Sequence, residues 1–148
     1  MNIFLLDTNI ISEPSKPFPN QNVVSKIADN IEHSCICSVV WAEVLSGVKS
    51  LPNGHKKEAL FDFFIETAQK NYEILPFDYH CASVYSDLIE RLKEKGNPLP
   101  KFDLMIAATA IANGLILVTR NTKDFEPIAE VSTLPLENWF SVAPVSDK

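Results

Sequence analysis

Four acids stand where this chain changes character. Asp7 ends the apolar run from Ile3 to Leu6 in MNIFLLDTNIIS, and Asp103 opens FDLMIAATAIANG. Glu43 lies one turn into SVVWAEVLSGV, and Asp124 follows the apolar run 115–118 after Thr119, Arg120 and Asn121. Taken singly, each has an ordinary structural reading as a turn former, helix cap or solvated carboxylate. Taken together they pose an electrostatic problem. Two carboxylates about 4 Å apart repel by roughly 4 kcal/mol at an effective dielectric of 20. Four clustered acids therefore need a cation or must take up protons. A set of hard oxygen ligands points to Mg²⁺, with Mn²⁺ as a second option. Metal held by carboxylates, with open water positions, suits attack of water on a phosphodiester.

The acids can meet only if the elements that carry them converge. Residues 2–7 and 115–119 have the short, continuously apolar pattern of buried parallel strands. Cys35 to Cys37 and Glu73 to Phe77 are expected as further strands, with Pro76 favouring an edge for the latter. Residues 131–136 are expected as a short last strand. Helical periodicity predicts helices over 20–31, 39–49, 56–70 and 79–95, and one opening at Phe102/Asp103. Ser38 is expected to cap the second and Asp78 the fourth, with Gly96 and Gly114 as stops. Residues 97–100 read as a turn. Alternating strands and helices imply an α/β fold with a mostly parallel central sheet flanked by helices on both sides. Such sheets bind ligands at the carboxyl ends of their strands. Helix starts share that face, so Asp7, Glu43, Asp103 and Asp124 can gather on one rim.

Bulk properties narrow the alternatives. The chain has 148 residues, 46% hydrophobic and 22% charged, which suits one globular domain over 1–140 with a polar tail at 141–148. No apolar window has the length of a membrane helix and no leader pattern is visible, so a cytoplasmic protein is expected. Cys35, Cys37 and Cys81 lack zinc spacing and read as buried thiols. The net charge of −6 disfavours a passive nucleic-acid binder, but not an enzyme whose acids hold metal. With only four glycines there is neither a P-loop nor a dinucleotide fingerprint.

The segments LLDTNIIS (5–12), SVVWAEVLSGV (38–48), FDLMIAATAIANGLILVTRNTKDF (102–125) and LENWF (136–140), in that order and spacing, resemble PIN-domain ribonucleases of the VapC toxin type, in their FitB-like branch. The resemblance implies that Asp7, Glu43, Asp103 and Asp124 hold Mg²⁺. It also implies that Thr8, Asn9, Thr119 and Asn121 orient carboxylates or waters. Some PIN domains carry an acid where Asn121 stands, so a fifth carboxylate ligand is not expected. The implied activity is endonucleolytic cleavage of transfer or ribosomal RNA to arrest translation. Implied partners are a cognate antitoxin protein, a second copy of the chain, and operator DNA bound through the antitoxin. Lys101, Arg120 and Lys123, near the rim, are candidates for holding the RNA backbone. Residues 50–76 match no motif of the family.

Two alternatives belong to other classes. An aspartyl phosphotransferase also starts from an apolar strand ending on Asp, but wants a second Asp two residues on, where Asn9 stands. A PIN-like module without catalysis would keep the fold and bind RNA or protein; the complete acidic quartet argues against it.

Overall fold

The computed structural model describes residues 1–96 and 98–141. The turn expected at 97–100 falls partly outside the described residues, as does the tail from 142 onward. Five short strands form one sheet in the order β3-β2-β1-β4-β5, with β1 (Phe4–Leu6) in the middle. β2 (Ser34–Cys37) and β4 (Ile116–Val118) flank it, and β3 (Glu73–Leu75) and β5 (Leu136–Glu137) form the edges. All four pairings are parallel. Leu5, Leu6, Cys35, Ile36, Cys37, Leu117 and Val118 are fully buried, as strands covered on both faces must be.

The strand order sets where helices lie. From β1 the chain steps outward to β2 and β3 through α1 (Thr8–Ile11), α2 (Gln21–Asp29), α3 (Ser38–Lys49) and α4 (His55–Phe63). It then crosses back through α5 (Tyr79–Glu94) and α6 (Lys101–Ala112) to β4, and reaches β5 through α7 (Thr122–Glu130). Right-handed crossovers in opposite directions put the two groups of helices on opposite faces. The α5, α6 and α7 helices pack on one another, and α3 touches α6. The direction reverses between β1 and β4, and a crevice opens at the carboxyl ends of those two strands.

Local chemistry explains the boundaries. Asn20 caps α2 by accepting from Val23 N, and Asp78 caps α5 by accepting from Cys81 N. Gly96 and Gly114 adopt left-handed φ of 65° and 66° just past the ends of α5 and α6. The apolar stripes are Val40, Val44 and Val48 on α3, and Cys81, Leu88 and Leu92 on α5.

Several expectations need correction. Ser38 does not cap α3: it is the first helical residue, and its hydroxyl accepts instead from Phe77 N at 3.2 Å, fastening the end of the β3 segment. The helix expected through 70 leaves α geometry at Phe64 and continues as a wider π turn over Phe64–Gln69, which buries Phe64 and Ala68. The last strand is Leu136–Glu137 alone, because α7 occupies the chain up to Glu130 and Pro135 has no N–H for a ladder. The short helix α1 and all of α7 were not expected from periodicity.

Candidate active site

The crevice is built from the end of β1. Leu6 is paired with Val118, and Asp7 N donates to Val118 O at 2.9 Å, so the carboxylate leaves the sheet where β1 and β4 separate. Asp7 is only 7% exposed. Its Oδ1 accepts from Thr8 N at 2.8 Å, capping α1. Its Oδ2 accepts from the fully buried Thr119 hydroxyl at 2.8 Å and, at the limit of 3.5 Å, from Asn9 Nδ2. Burial pushes the Asp7 carboxyl above its ordinary range, and the bonds from Thr119, Thr8 and Asn9 only partly oppose this.

The other acids arrive from separate elements. Glu43, half-buried in the second turn of α3, accepts from Thr8 Oγ1 at 2.9 Å, so Thr8 alone holds two different carboxylates, Asp7 by its N–H and Glu43 by its hydroxyl. Burial raises its carboxyl, and Asp7 adds to the effect. Asp103 sits in the first turn of α6 and Asp124 in the first turn of α7. Burial pushes Asp103 up to about 6, with further contributions from Asp7, Glu43 and Asp124. Asp103 therefore feels the charge of the other three sequence-selected acids, and Glu43 feels that of Asp7. Among the described residues, ion pairs join Lys16 to Glu13, Lys70 to Glu66 and Lys93 to Glu90, and no lysine or arginine neutralises the quartet.

Would this set suit a divalent cation? The donors are carboxylate oxygens around uncompensated negative charge, which is the chemistry a hard cation selects. Cys37 lies close enough to sense Asp7 and Glu43, but burial pushes its thiol up to about 11, so it stays protonated. Among the described residues, no three Asp, Glu, His or Cys side chains have already closed into a coordination shell. A hard cation here would reach at most two of these carboxylates directly and fill its other positions with water.

The neighbouring polar residues connect the acids to β4. Asn9 Oδ1 accepts from Arg120 N at 3.0 Å. Asn121 enters through its backbone: its N donates to Thr119 Oγ1 at 3.1 Å, and its carbonyl accepts from Asp124 N at 3.0 Å. Arg120 lays its guanidinium 4.4 Å from the centre of the Phe140 ring. Lys101 and Lys123 are exposed at the starts of α6 and α7. Beside Thr8 and Glu43 the crevice runs into a groove of about 200 Å³ whose walls include Val44, Gly47, Leu60 and Phe64.

One buried carboxylate was not found from the sequence. Glu13, 5% exposed, accepts from Asn20 N at 2.7 Å and pairs with Lys16 at 3.0 Å. Burial alone pushes its carboxyl up, but Asn20 N–H, Lys16 and the charge of Arg120 outweigh it and hold it below its ordinary range. An acid in a proline-rich loop reads as solvated, and nothing in its spacing says otherwise.

A doubly wound parallel sheet with a carboxylate-lined crevice at its switch point defines an α/β protein whose chemistry sits between β1 and β4. More particularly, the chain belongs to the PIN domain family, whose pattern matches residues 4–131. It is 36% identical over 126 residues to toxin FitB of Neisseria gonorrhoeae, covering 83% of this chain and 91% of that one. It is 31% identical over 136 residues to the tRNA(fMet)-specific endonuclease VapC of Shigella flexneri, covering 92% and 97%. The structure of FitAB bound to a DNA fragment contains a similar chain, with a TM-score of 0.86, 31% identity and coverage of 97% and 99%. No helix among the described residues is long and apolar enough to cross a membrane.

Proposed function

We propose that this PIN-domain chain is a Mg²⁺-dependent endoribonuclease, the toxin of a toxin–antitoxin pair, which hydrolyses phosphodiester bonds of transfer or ribosomal RNA and so arrests translation. The observation that carries the reading is the gathering of Asp7, Glu43, Asp103 and Asp124 from separate elements around one crevice, with no lysine or arginine among the described residues ion-paired to them. The relatives named as toxin and endonuclease support it.

Asp7, Glu43, Asp103 and Asp124 would hold the ion, one or two of them directly and the rest through its waters. When bound, it would lower the pKa of the attacking water and offset charge developing on the phosphate. The chain's own part is to keep the ligands in place. Thr119 and Thr8 N–H fix the two oxygens of Asp7, and Thr8 Oγ1 fixes Glu43. Because these contacts come from a sheet and its first helix, they lose little order when substrate arrives. Arg120, Lys101 and Lys123 would hold RNA phosphates beside the acids.

A crevice of uncompensated carboxylates continuing into an apolar groove also suits an inhibitor. An antitoxin segment with an Arg or Lys for the acids and apolar residues for Val44, Leu60 and Phe64 would satisfy both ends. The FitAB complex on DNA supports such a partnership, and we include a homodimer in the assembly.

The test is cleavage of total cellular RNA by the purified chain and by Asp7→Asn, each with Mg²⁺ or chelator. Discrete fragments with 5′-phosphate and 3′-hydroxyl ends, from the parent chain with Mg²⁺ alone, are the expected outcome. Ends bearing 2′,3′-cyclic phosphate, or equal cutting by Asp7→Asn, would overturn it.

A further inference from the structure

Arg120 follows Thr119, whose hydroxyl reaches Asp7 Oδ2 at 2.8 Å. One amide also spans the gap between Arg120 and that acid. Asn9 Oδ1 accepts from Arg120 N at 3.0 Å, and Asn9 Nδ2 faces Asp7 Oδ2 at 3.5 Å. A long cationic side chain thus starts beside four carboxylates to which no lysine or arginine among the described residues is ion-paired. Electrostatics alone would fold such an arginine inward, since opposite charges 4 Å apart attract by about 4 kcal/mol at an effective dielectric of 20. Arg120 does not fold inward. It is exposed, and its guanidinium lies 4.4 Å from the centre of the Phe140 ring. Its charge reaches Glu13, whereas Asp7, Glu43 and Asp103 are all held up by burial.

The ring alone does not account for this, because a cation–π contact at an exposed site is worth only about 0.5–1 kcal/mol. The main chain supplies the rest. Asn138, just past β5, uses both ends of its amide. Its Nδ2 donates to Arg120 O at the limit of 3.5 Å, and its Oδ1 accepts from Phe140 N at 2.9 Å. With Asn9 on its N–H and Asn138 on its carbonyl, Arg120 is held on both sides of its Cα. The amide that holds the carbonyl also sets the ring under the guanidinium. The turn carrying Asn138 and Phe140 is fastened in its own right. Thr119 N donates to Glu137 O at 2.9 Å, and Trp139 Nε1 to Glu137 Oε1 at 3.0 Å. Asn22 Nδ2, from α2, donates to Trp139 O at 2.6 Å and to Ser141 O at 3.2 Å. An arginine side chain carries about 2 kcal/mol of rotamer entropy, so fixing one without an ion-pair partner is costly for a mere connection between strands.

We propose that Asn138 and Phe140 are positioning residues that hold Arg120 out of the acidic crevice, so that the protein's own cation does not take the place of the divalent ion. The inference rests on the ion-binding reading of the four acids and deepens it. A released Arg120 would pair with the carboxylates and compete with the ion. Only the fraction of chains with the arginine held aside would then be ready for metal, and the apparent Kd would rise by the inverse of that fraction. Held on Phe140, the guanidinium keeps N–H donors free for a phosphate at the edge of the crevice.

The test measures metal binding without RNA, in the full-length chain. Mn²⁺ is the probe, with bound and free ion distinguished by electron paramagnetic resonance. Phe140→Leu keeps apolar bulk but removes the aromatic face, and Asn138→Ala removes the bridging amide. Each is expected to bind Mn²⁺ about three- to tenfold more weakly than the parent. Phe140→Tyr is expected to retain the parent affinity. Adding Arg120→Ala to Phe140→Leu or to Asn138→Ala is expected to restore it, because the competing cation is then gone. That restoration separates positioning from packing, since damage to the fold is not repaired by removing a second side chain. Parent-like Mn²⁺ affinity in both Phe140→Leu and Asn138→Ala overturns the proposal. A loss that Arg120→Ala leaves in place overturns it as well, and assigns Asn138 and Phe140 a structural role only. Failure of the ion-binding reading is seen separately, as absence of Mn²⁺ binding by the parent chain, and takes this inference with it.

Discussion

The Thr119 hydroxyl, at the end of β4, donates to Asp7 Oδ2, at the end of β1, across 2.8 Å. Two neighbouring strands are thereby joined, beyond their ladder, through the central carboxylate of the crevice. The same hydroxyl oxygen accepts from Asn121 N, so it also shapes the turn that delivers Asp124.

Thr119→Val should therefore do two kinds of damage. It removes a donor to a buried, charged acceptor, at a cost of about 1.5–3 kcal/mol. It also frees the turn before Asp124. Urea unfolding should report the first, and RNA cleavage should fall by tenfold or more at saturating Mg²⁺. Thr119→Ser, which keeps the hydroxyl, should recover most of the activity.

Asp103→Asn should abolish cleavage while making the metal-free protein more stable. Burial and three neighbouring acids raise the Asp103 carboxyl to about 6. A raised carboxyl favours the fold below its unfolded value near 4, and that contribution is lost as pH rises through about 6. At pH 7.5 the variant is relieved of it, by about 1 kcal/mol once solvent screening of this half-exposed group is allowed for. Melting curves with chelator should show the variant above the parent at pH 7.5 and the two level near pH 4.

Addition of Mg²⁺ should reverse that order. An ion bound only by the folded state adds about 2.7 kcal/mol at a hundred times its Kd. The parent chain should rise in Tm with Mg²⁺, and Asp7→Asn and Asp103→Asn should rise little. Equal Mg²⁺ response in all three would remove these acids from the ion site.

Glu13 should show the opposite pH behaviour to Asp103. Its folded carboxyl lies below the ordinary range. It stabilises the fold above the unfolded value near 4.5, and the contribution is lost as pH falls through the lower folded value. Glu13→Gln should cost about 1–3 kcal/mol at pH 7, and the gap from the parent should close as pH falls through the lowered folded value. Denaturation series at several pH values would check both sign and window.

What could be read in the sequence, and what could not, divides along physical lines. β1, β2, β4 and the stripes of α3 and α5 were legible because burial is written directly as apolar pattern. Asp7, Glu43 and Asp103 were legible because each sits at a fixed offset from such a pattern. α7 was not: Pro127 lies inside it and breaks the usual helical signal, yet Phe125 and Ile128 are buried and anchor it. Asp124 was legible only by its distance from the end of β4, and the helix start that presents it was not. Glu13 was hidden for another reason. Its burial comes from tertiary closure of a proline-rich loop, and no local pattern encodes that. The π turn at Phe64–Gln69 likewise reflects packing of Phe64 and Ala68 rather than propensity.

The contact from Asn22 to residues 139 and 141 links segments 117 and 119 residues apart, one made well before the other. Trp139, buried edge-on against Phe4 at a ring separation of 5.2 Å, spans the same interval. A chain still emerging from the ribosome can pair β1 with β2, but it lacks β5, Trp139 and the Phe140 support for Arg120 until residue 140 has been made. Completion of this crevice's flank is thus timed by synthesis of residues 136–141, and a chain that stops before them would carry the acids without the wall that holds Arg120 beside them.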